Sequence, residues 1–302
     1  MSLIQENQPV YAASTVAAAA EKLCELSRQE YVNPYASPYA PTDWPQSLDT
    51  NQWSMSRDLI SIAGLESFGK LSETEQKRLS FFEAVNFFSL NIHGEKALVE
   101  GLARRLYRKD MACVSSYLHH FLDEENKHML YFGEFCKRYA GKVYPDRKLA
   151  LERQFEDGEE NFLFFAKVMI FEEIVDAYNM RMSIDSSLQD LPRQINLWHH
   201  KDEARHLAFG RKLVAALFQR YCPSWSAETL AAIRQYLVDY IRATWKEYYN
   251  PLVYRDAGLE NPYELQEEAL KHPLSVGHRR YISRRLVRFL LASGILNEEP
   301  NI

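Results

Sequence analysis

Residues 199–210 read His199-His200-Lys201-Asp202-Glu203-Ala204-Arg205-His206-Leu207-Ala208-Phe209-Gly210. Steps of three and four return to one face of an α-helix, so His199, Glu203, His206 and Gly210 share a stripe. Leu213 and Leu217 continue it. A helix that hides this stripe buries two imidazoles and a carboxylate with it. Glu203 and His206 are three apart and can reach a common point. His200 is turned about one hundred degrees from His199 and falls beside Ala204 and Leu207.

Three other segments repeat the theme. One stripe runs Phe88, Ile92, Glu95, Val99, Leu102, Leu106, and a second runs Leu118, Phe121, Glu125, His128, Phe132, Phe135. A third runs Phe165, Val168, Glu172, Val175, Asn179, Met182, with Glu173 on a neighbouring, weaker face. Each places its acid midway along an apolar seam. The spacing predicts long helices over about 72–108, 111–140, 159–184 and 192–221. Ser72 with Glu75 forms a capping box, Gly141 is a stop, and Pro192 sits in a first turn. A first helix is expected over 13–30, and two more over about 227–249 and 275–292.

Burying this many ionisable groups is prohibitive unless their charge is compensated. A metal-free ion-pair network would need basic partners, and the stripes hold no Arg or Lys. Two cations answer the need. Carboxylate with imidazole suits iron or manganese, and bundles build dinuclear sites from single Glu residues and Glu-x-x-His pairs. The candidate ligands are Glu95, Glu125, His128, Glu172, His199, Glu203 and His206. The expected fold is therefore all-α, a ferritin-like four-helix bundle with extra flanking helices. Residues 1–302 are expected to form one domain. It comprises an N-terminal helix and wrapping loop (1–55, after a loose tail over 1–12), a metal-holding core (72–221) and C-terminal helices (227–293). The loop is irregular because Pro34, Pro38, Pro41 and Pro45 interrupt it among aromatic residues.

Composition narrows the classes further. With 36 Lys and Arg against 41 Asp and Glu, the net charge of −5 gives no basic surplus for nucleic acid or an anionic membrane. The local run His278, Arg279, Arg280, Arg284, Arg285, Arg288 reads as the solvated face of a terminal helix. No apolar stretch nears the roughly 20 residues that cross a bilayer. Four cysteines without a C-x-x-C pair offer neither a disulfide framework nor a thiolate metal site, which suits the cytoplasm.

The pattern Glu95, Glu125-x-x-His128, Glu172, His199-x-x-x-Glu203-x-x-His206 resembles the p-aminobenzoate N-oxygenase family, the arylamine oxygenases of aureothin and chloramphenicol biosynthesis. Asp202-Glu203-Ala204-Arg205-His206 matches that family's D-E-x-R-H run, and the likeness spans about 80–215. The resemblance implies a homodimer holding two irons with four carboxylates and three histidines. It implies dioxygen as co-substrate, an external electron donor, and oxidation of a small amine at nitrogen. Oxidation at carbon, by hydroxylation or desaturation, and iron or peroxide handling without an organic substrate are the competing readings. Asp202 and Arg205 are candidate partners of the ligating histidines, or else a surface i,i+3 pair. Asn86, Ser89, Asn91, Tyr131, Tyr178, Asn179 and Arg181 lie near the ligand level, and an arginine such as Arg181 suits a substrate carboxylate.

Overall fold

The structure is a computed structural model that describes residues 14–146 and 154–302. The tail expected over 1–12 lies outside them. Ten α-helices form among the described residues: α1 (Ser14–Gln29), α2 (Glu66–Gly69), α3 (Glu73–Ala103), α4 (Ser115–Phe135), α5 (Glu159–Ser183), α6 (Asp190–Tyr221), α7 (Ala227–Tyr248), α8 (Pro251–Ala257), α9 (Pro262–Lys271) and α10 (Pro273–Ala292). They contain no strand, only an isolated bridge between Trp53 and Leu188.

The bundle is α3, α4, α5 and α6. Its helices start where the side chains supply caps. The Ser72 hydroxyl accepts from the Glu75 amide while the Glu75 carboxylate accepts from the Ser72 amide at 2.8 Å, which satisfies two otherwise orphaned donors. The seams close with fully buried rings, among them Phe88, Phe121, Phe132 and Phe135. Each contributes roughly 1.5–3 kcal/mol of burial.

Two boundaries differ from the sequence reading. α3 ends at Ala103 rather than near Arg108, because Tyr107 takes a left-handed φ of 59° that no helix accommodates. The next segment is a 3-10 turn over Lys109–Val114, so α4 begins at Ser115 and not at Met111. At its far end α4 widens into a π turn over Cys136–Ala140 and stops at Gly141, whose φ of 66° suits glycine. The short helices α2, α8 and α9 were not anticipated.

The flanks cover the bundle. α1 presents Val16, Ala20, Leu23 and Ser27 to α4 and α6 at helical spacing. Residues 31–55 follow α1. The Arg138 guanidinium donates to the Pro41 carbonyl at 2.7 Å and the Tyr139 hydroxyl to the Pro45 carbonyl at 2.6 Å, tying the loop to the end of α4. α7 and α10 lie against α5, and α8 lies against α3. Within α10 the basic run is not wholly a solvated face. Arg279 is buried and donates to the Tyr249 hydroxyl and the Leu270 carbonyl, whereas Arg280, Arg284, Arg285 and Arg288 are exposed.

Candidate metal centre

The four stripes meet at mid-bundle. Glu95 from α3, Glu125 and His128 from α4, Glu172 from α5, and His199, Glu203 and His206 from α6 are all buried. Three overlapping groups bring their ligand atoms within 4.8 Å of one another: Glu95 with Glu125, His128 and His199; Glu125 with Glu203 and His206; Glu172 with His199 and Glu203. Glu125, Glu203 and His199 each belong to two groups, so the arrangement has room for two ions with shared carboxylates.

Each imidazole aims one nitrogen inward. His128 Nδ1 lies 2.9 Å from Glu125, and His206 Nδ1 lies 2.9 Å from Glu125 and 3.0 Å from Glu203. His199 Nε2 lies 3.0 Å from Glu203 and 3.3 Å from Glu95. The opposite nitrogens are held from behind. His128 Nε2 donates to Asp202 at 3.0 Å and His206 Nε2 to Glu124 at 2.7 Å. A carboxylate only accepts, so these bonds hold a proton on Nε2, and Nδ1 is the nitrogen that faces the cluster. The Asn179 side-chain nitrogen sits 2.7 Å from His199 Nδ1 and holds the ring with Nε2 toward the cluster.

Behind these bonds the partners cross over. Lys127 of α4 donates to Asp202 of α6 at 2.5 Å, and Arg205 of α6 donates to Glu124 of α4 at 2.7 Å. Arg205 also holds Asp202, and reaches Glu30 at the end of α1. The surface-pair reading of Asp202 and Arg205 is therefore excluded. Glu124 and Lys127 were missed in the sequence, yet a signal was there: Glu124-Glu125-Asn126-Lys127-His128 matches Asp202-Glu203-Ala204-Arg205-His206 position by position. Each Glu-x-x-His pair has an acid-x-x-base pair one residue before it, and each acid serves the other helix's histidine.

Register separates the paired neighbours. His200 turns outward to Asp176 at 2.5 Å, and Glu173 pairs with Arg211. The remaining pocket candidates are mostly structural. Asn86 donates to the Glu247 carbonyl, Ser89 to Val85, and Asn91 to Phe87. Tyr178 stacks on Phe87, and Tyr131 packs between Trp44 and Trp198. Arg181 does not face the cluster: it is engaged by Asp58 at 2.9 Å on the exposed side.

The donor set fits a pair of cations. Both oxygens of Glu95 and of Glu172, one each of Glu125 and Glu203, and His199 Nε2 are buried without a hydrogen-bond partner. In a protein, buried polar atoms almost always have one. Burial raises the Glu95 and Glu125 carboxyls to about 8 and Glu172 well above its ordinary range, with neighbouring carboxylates adding to the rise in Glu125 and Glu172. Burial acts on Glu203 too, but His206 and His199 bring it well below its usual range. Four carboxylates and two divalent ions sum to zero charge. Phe121 stacks on the His206 ring at 3.9 Å and Phe132 meets His199 edge-on at 5.0 Å, which keeps the surroundings dry.

Fold and site together define a ferritin-like dimetal-carboxylate protein, with Glu-x-x-His pairs on two helices facing single carboxylates on the other two. The narrower class follows from sequence comparison. The chain belongs to the p-aminobenzoate N-oxygenase AurF family, whose profile matches residues 13–294, and it is a diiron-type oxygenase. Solved structures similar to it include two variants of an R2-like ligand-binding oxidase with a reconstituted Mn/Fe cofactor. One is 15% identical with a TM-score of 0.44, covering 97% of this chain and 95% of that one. The other is 14% identical with a TM-score of 0.42, covering 87% and 93%. No curated protein matches the chain. No described helix is long and apolar enough to cross a membrane.

Proposed function

We propose that this oxygenase holds two iron ions on Glu95, Glu125, His128, Glu172, His199, Glu203 and His206 and oxidises the amine nitrogen of a small aryl or alkyl amine. The observation that carries the reading is the third imidazole. His199 is aimed inward by Asn179 and completes a seven-residue donor set within a chain of the N-oxygenase family. The donors also accept manganese, and iron is favoured here for oxygen chemistry. Bound iron supplies Lewis acidity and electrons for activating dioxygen.

The first oxidation balances as follows. An amine N–H becomes N–OH with one oxygen atom of O2, and the other leaves as water, consuming two electrons and two protons. An external donor provides the electrons, and repetition leads to nitroso and nitro products. Asp202 and Glu124 engage Nε2 of His128 and His206, so that Nδ1 is the atom each ring offers to a metal. The phenyl rings around them exclude water. The four cysteines are free thiols, which suits a reducing cytoplasm, and we take the working form to be a homodimer.

The test supplies 18O2 and a chemical reductant to iron-loaded protein with a panel of aryl and alkyl amines. Mass spectrometry is expected to find label on nitrogen. Label found only on carbon across the panel would refute the proposal.

A further inference from the structure

The two sides of the metal centre are closed in different ways. On the α4–α6 side, His128 and His206 are backed by Asp202, Glu124, Lys127 and Arg205, all buried. The groove there, about 1080 Å³ between α1 and α6, ends on that network. A substrate arriving from this side would have to separate buried ion pairs. The α3–α5 side carries the single carboxylates Glu95 and Glu172.

A cleft of about 650 Å³ runs along this second side, walled by α3, α5, α7 and the segment Pro145–Asp146, with Lys167, Lys246 and Glu247 among its lining beside the aromatic rings. Its floor is made by Gly94 and Phe171, and each precedes a candidate ligand in sequence: Gly94 precedes Glu95, and Phe171 precedes Glu172. A Cβ on residue 94 would sit 2.3 Å from Phe171 Cε1 and 2.4 Å from Cζ, so the half-buried ring occupies the place a side chain would take. The far wall holds Tyr240 and Tyr248. Burial raises both hydroxyls. Tyr248 is 5% exposed, lines the cleft, and its hydroxyl has no hydrogen-bond partner.

We infer that this cleft is the route by which the amine reaches the metal pair, that Phe171 seated on Gly94 is its gate, and that the Tyr248 hydroxyl is a positioning group for the bound substrate. Resting on the amine-oxidation reading, the inference adds which face of the bundle takes the substrate and which residue sets its size. Rotation of one phenyl ring opens this face, whereas the other is locked by charge. The aromatic walls favour flat aryl amines over branched alkyl ones.

The experiment compares Phe171→Ala, Phe171→Leu, Phe171→Trp, Gly94→Ala and Tyr248→Phe, with Leu26→Ala in the α1 groove as control. None removes a candidate ligand, so iron content after loading is expected to stay at the wild-type value. Phe171→Ala is expected to raise kcat/KM for two-ring over one-ring aryl amines by roughly tenfold. Phe171→Trp and Gly94→Ala are expected to depress it for both. Tyr248→Phe should raise KM with little change in kcat. A second readout needs no turnover: the rate at which a bulky aromatic chelator strips iron should rise about tenfold in Phe171→Ala and stay unchanged in Leu26→Ala, as a gate requires. If Phe171→Ala does not fold, Phe171→Leu is expected to show the same shifts at smaller size. Wild-type protein that oxidises no amine would overturn the function, and the chelator would still decide the gate. The gate is overturned if stripping and size preference are unchanged in both Phe171→Ala and Phe171→Leu, or if Leu26→Ala changes them as much.

Discussion

Replacing Asp202 by Asn removes one charge and hardly any volume from the network behind the metal centre. Asp202 accepts from His128 Nε2 at 3.0 Å, from Lys127 at 2.5 Å and from Arg205. The side chains of Lys127 and Asp202 are only 6% and 7% exposed, so the ammonium left behind cannot turn to water. Arg205 keeps Glu124 and Glu30. Breaking a buried pair on one side costs about 3–5 kcal/mol, and the surviving partners of Arg205 argue for the lower end, about 3 kcal/mol. For a chain of 302 residues that lowers the melting temperature of the metal-free protein by roughly 5 °C. Metal affinity should fall separately, by about 10–100-fold, because the His128 tautomer is no longer enforced. Adding Lys127→Met splits the two effects: stability should return while metal affinity stays low. Denaturant unfolding and competitive metal titration on the two single variants and the double variant read both. A double variant that regains affinity, or Asp202→Asn with wild-type affinity, would show that the network does not orient His128, and a double variant that regains no stability would show that the stranded ammonium is not the cost.

Other outcomes follow from the same geometry. His199→Ala and Glu172→Ala should each disturb metal binding, whereas His200→Ala and Glu173→Ala should be much milder; metal titration of the four decides, and the reverse order would show the register to be wrong. Glu124→Gln should mirror Asp202→Asn at His206, with a similar loss of affinity. The metal-free protein should become less stable as pH rises. Glu95 and Glu125 titrate near 4.5 when unfolded and at about 8 when folded, so between those values the folded state binds more protons and stability falls with pH. His206, raised in the folded state chiefly by Glu203 and Glu125 against burial, acts with the same sign as pH climbs past 6.5. Melting temperature measured from pH 5 to 8.5 is expected to decline without metal and to decline much less with it; a rising metal-free curve would contradict the charge picture.

The legible parts of the site were those written at helical spacing. Glu95, Glu125, His128, Glu172, His199, Glu203 and His206 interrupt apolar stripes at steps of three and four, so a polar residue there stands out. Glu124 and Lys127 did not stand out, because they sit in a charged run beside Glu125 and look like solvent-facing neighbours. Their burial comes from α1 lying across α4 and α6, a tertiary contact that periodicity cannot show. The Ser72 cap, the Gly141 stop and the 190s start of α6 are local chemistry and were readable. The end of α3 was not, since it depends on the left-handed Tyr107, a residue with no strong preference for that conformation. Helices α8 and α9 carried signals that went unused, Asn250-Pro251 and Asn261-Pro262, each a proline at the first helical position. The partner of Arg181 was not readable, because one helix position cannot reveal that Asp58, far away in sequence, occupies it.

Quantitative metal analysis after anaerobic iron loading tests the central claim most directly, because the seven buried donors converge at mid-bundle. Two iron ions per chain are expected, lost together in Glu125→Ala and Glu203→Ala, the carboxylates shared between the ligand groups. One ion per chain, or none, would contradict a dinuclear centre at these residues.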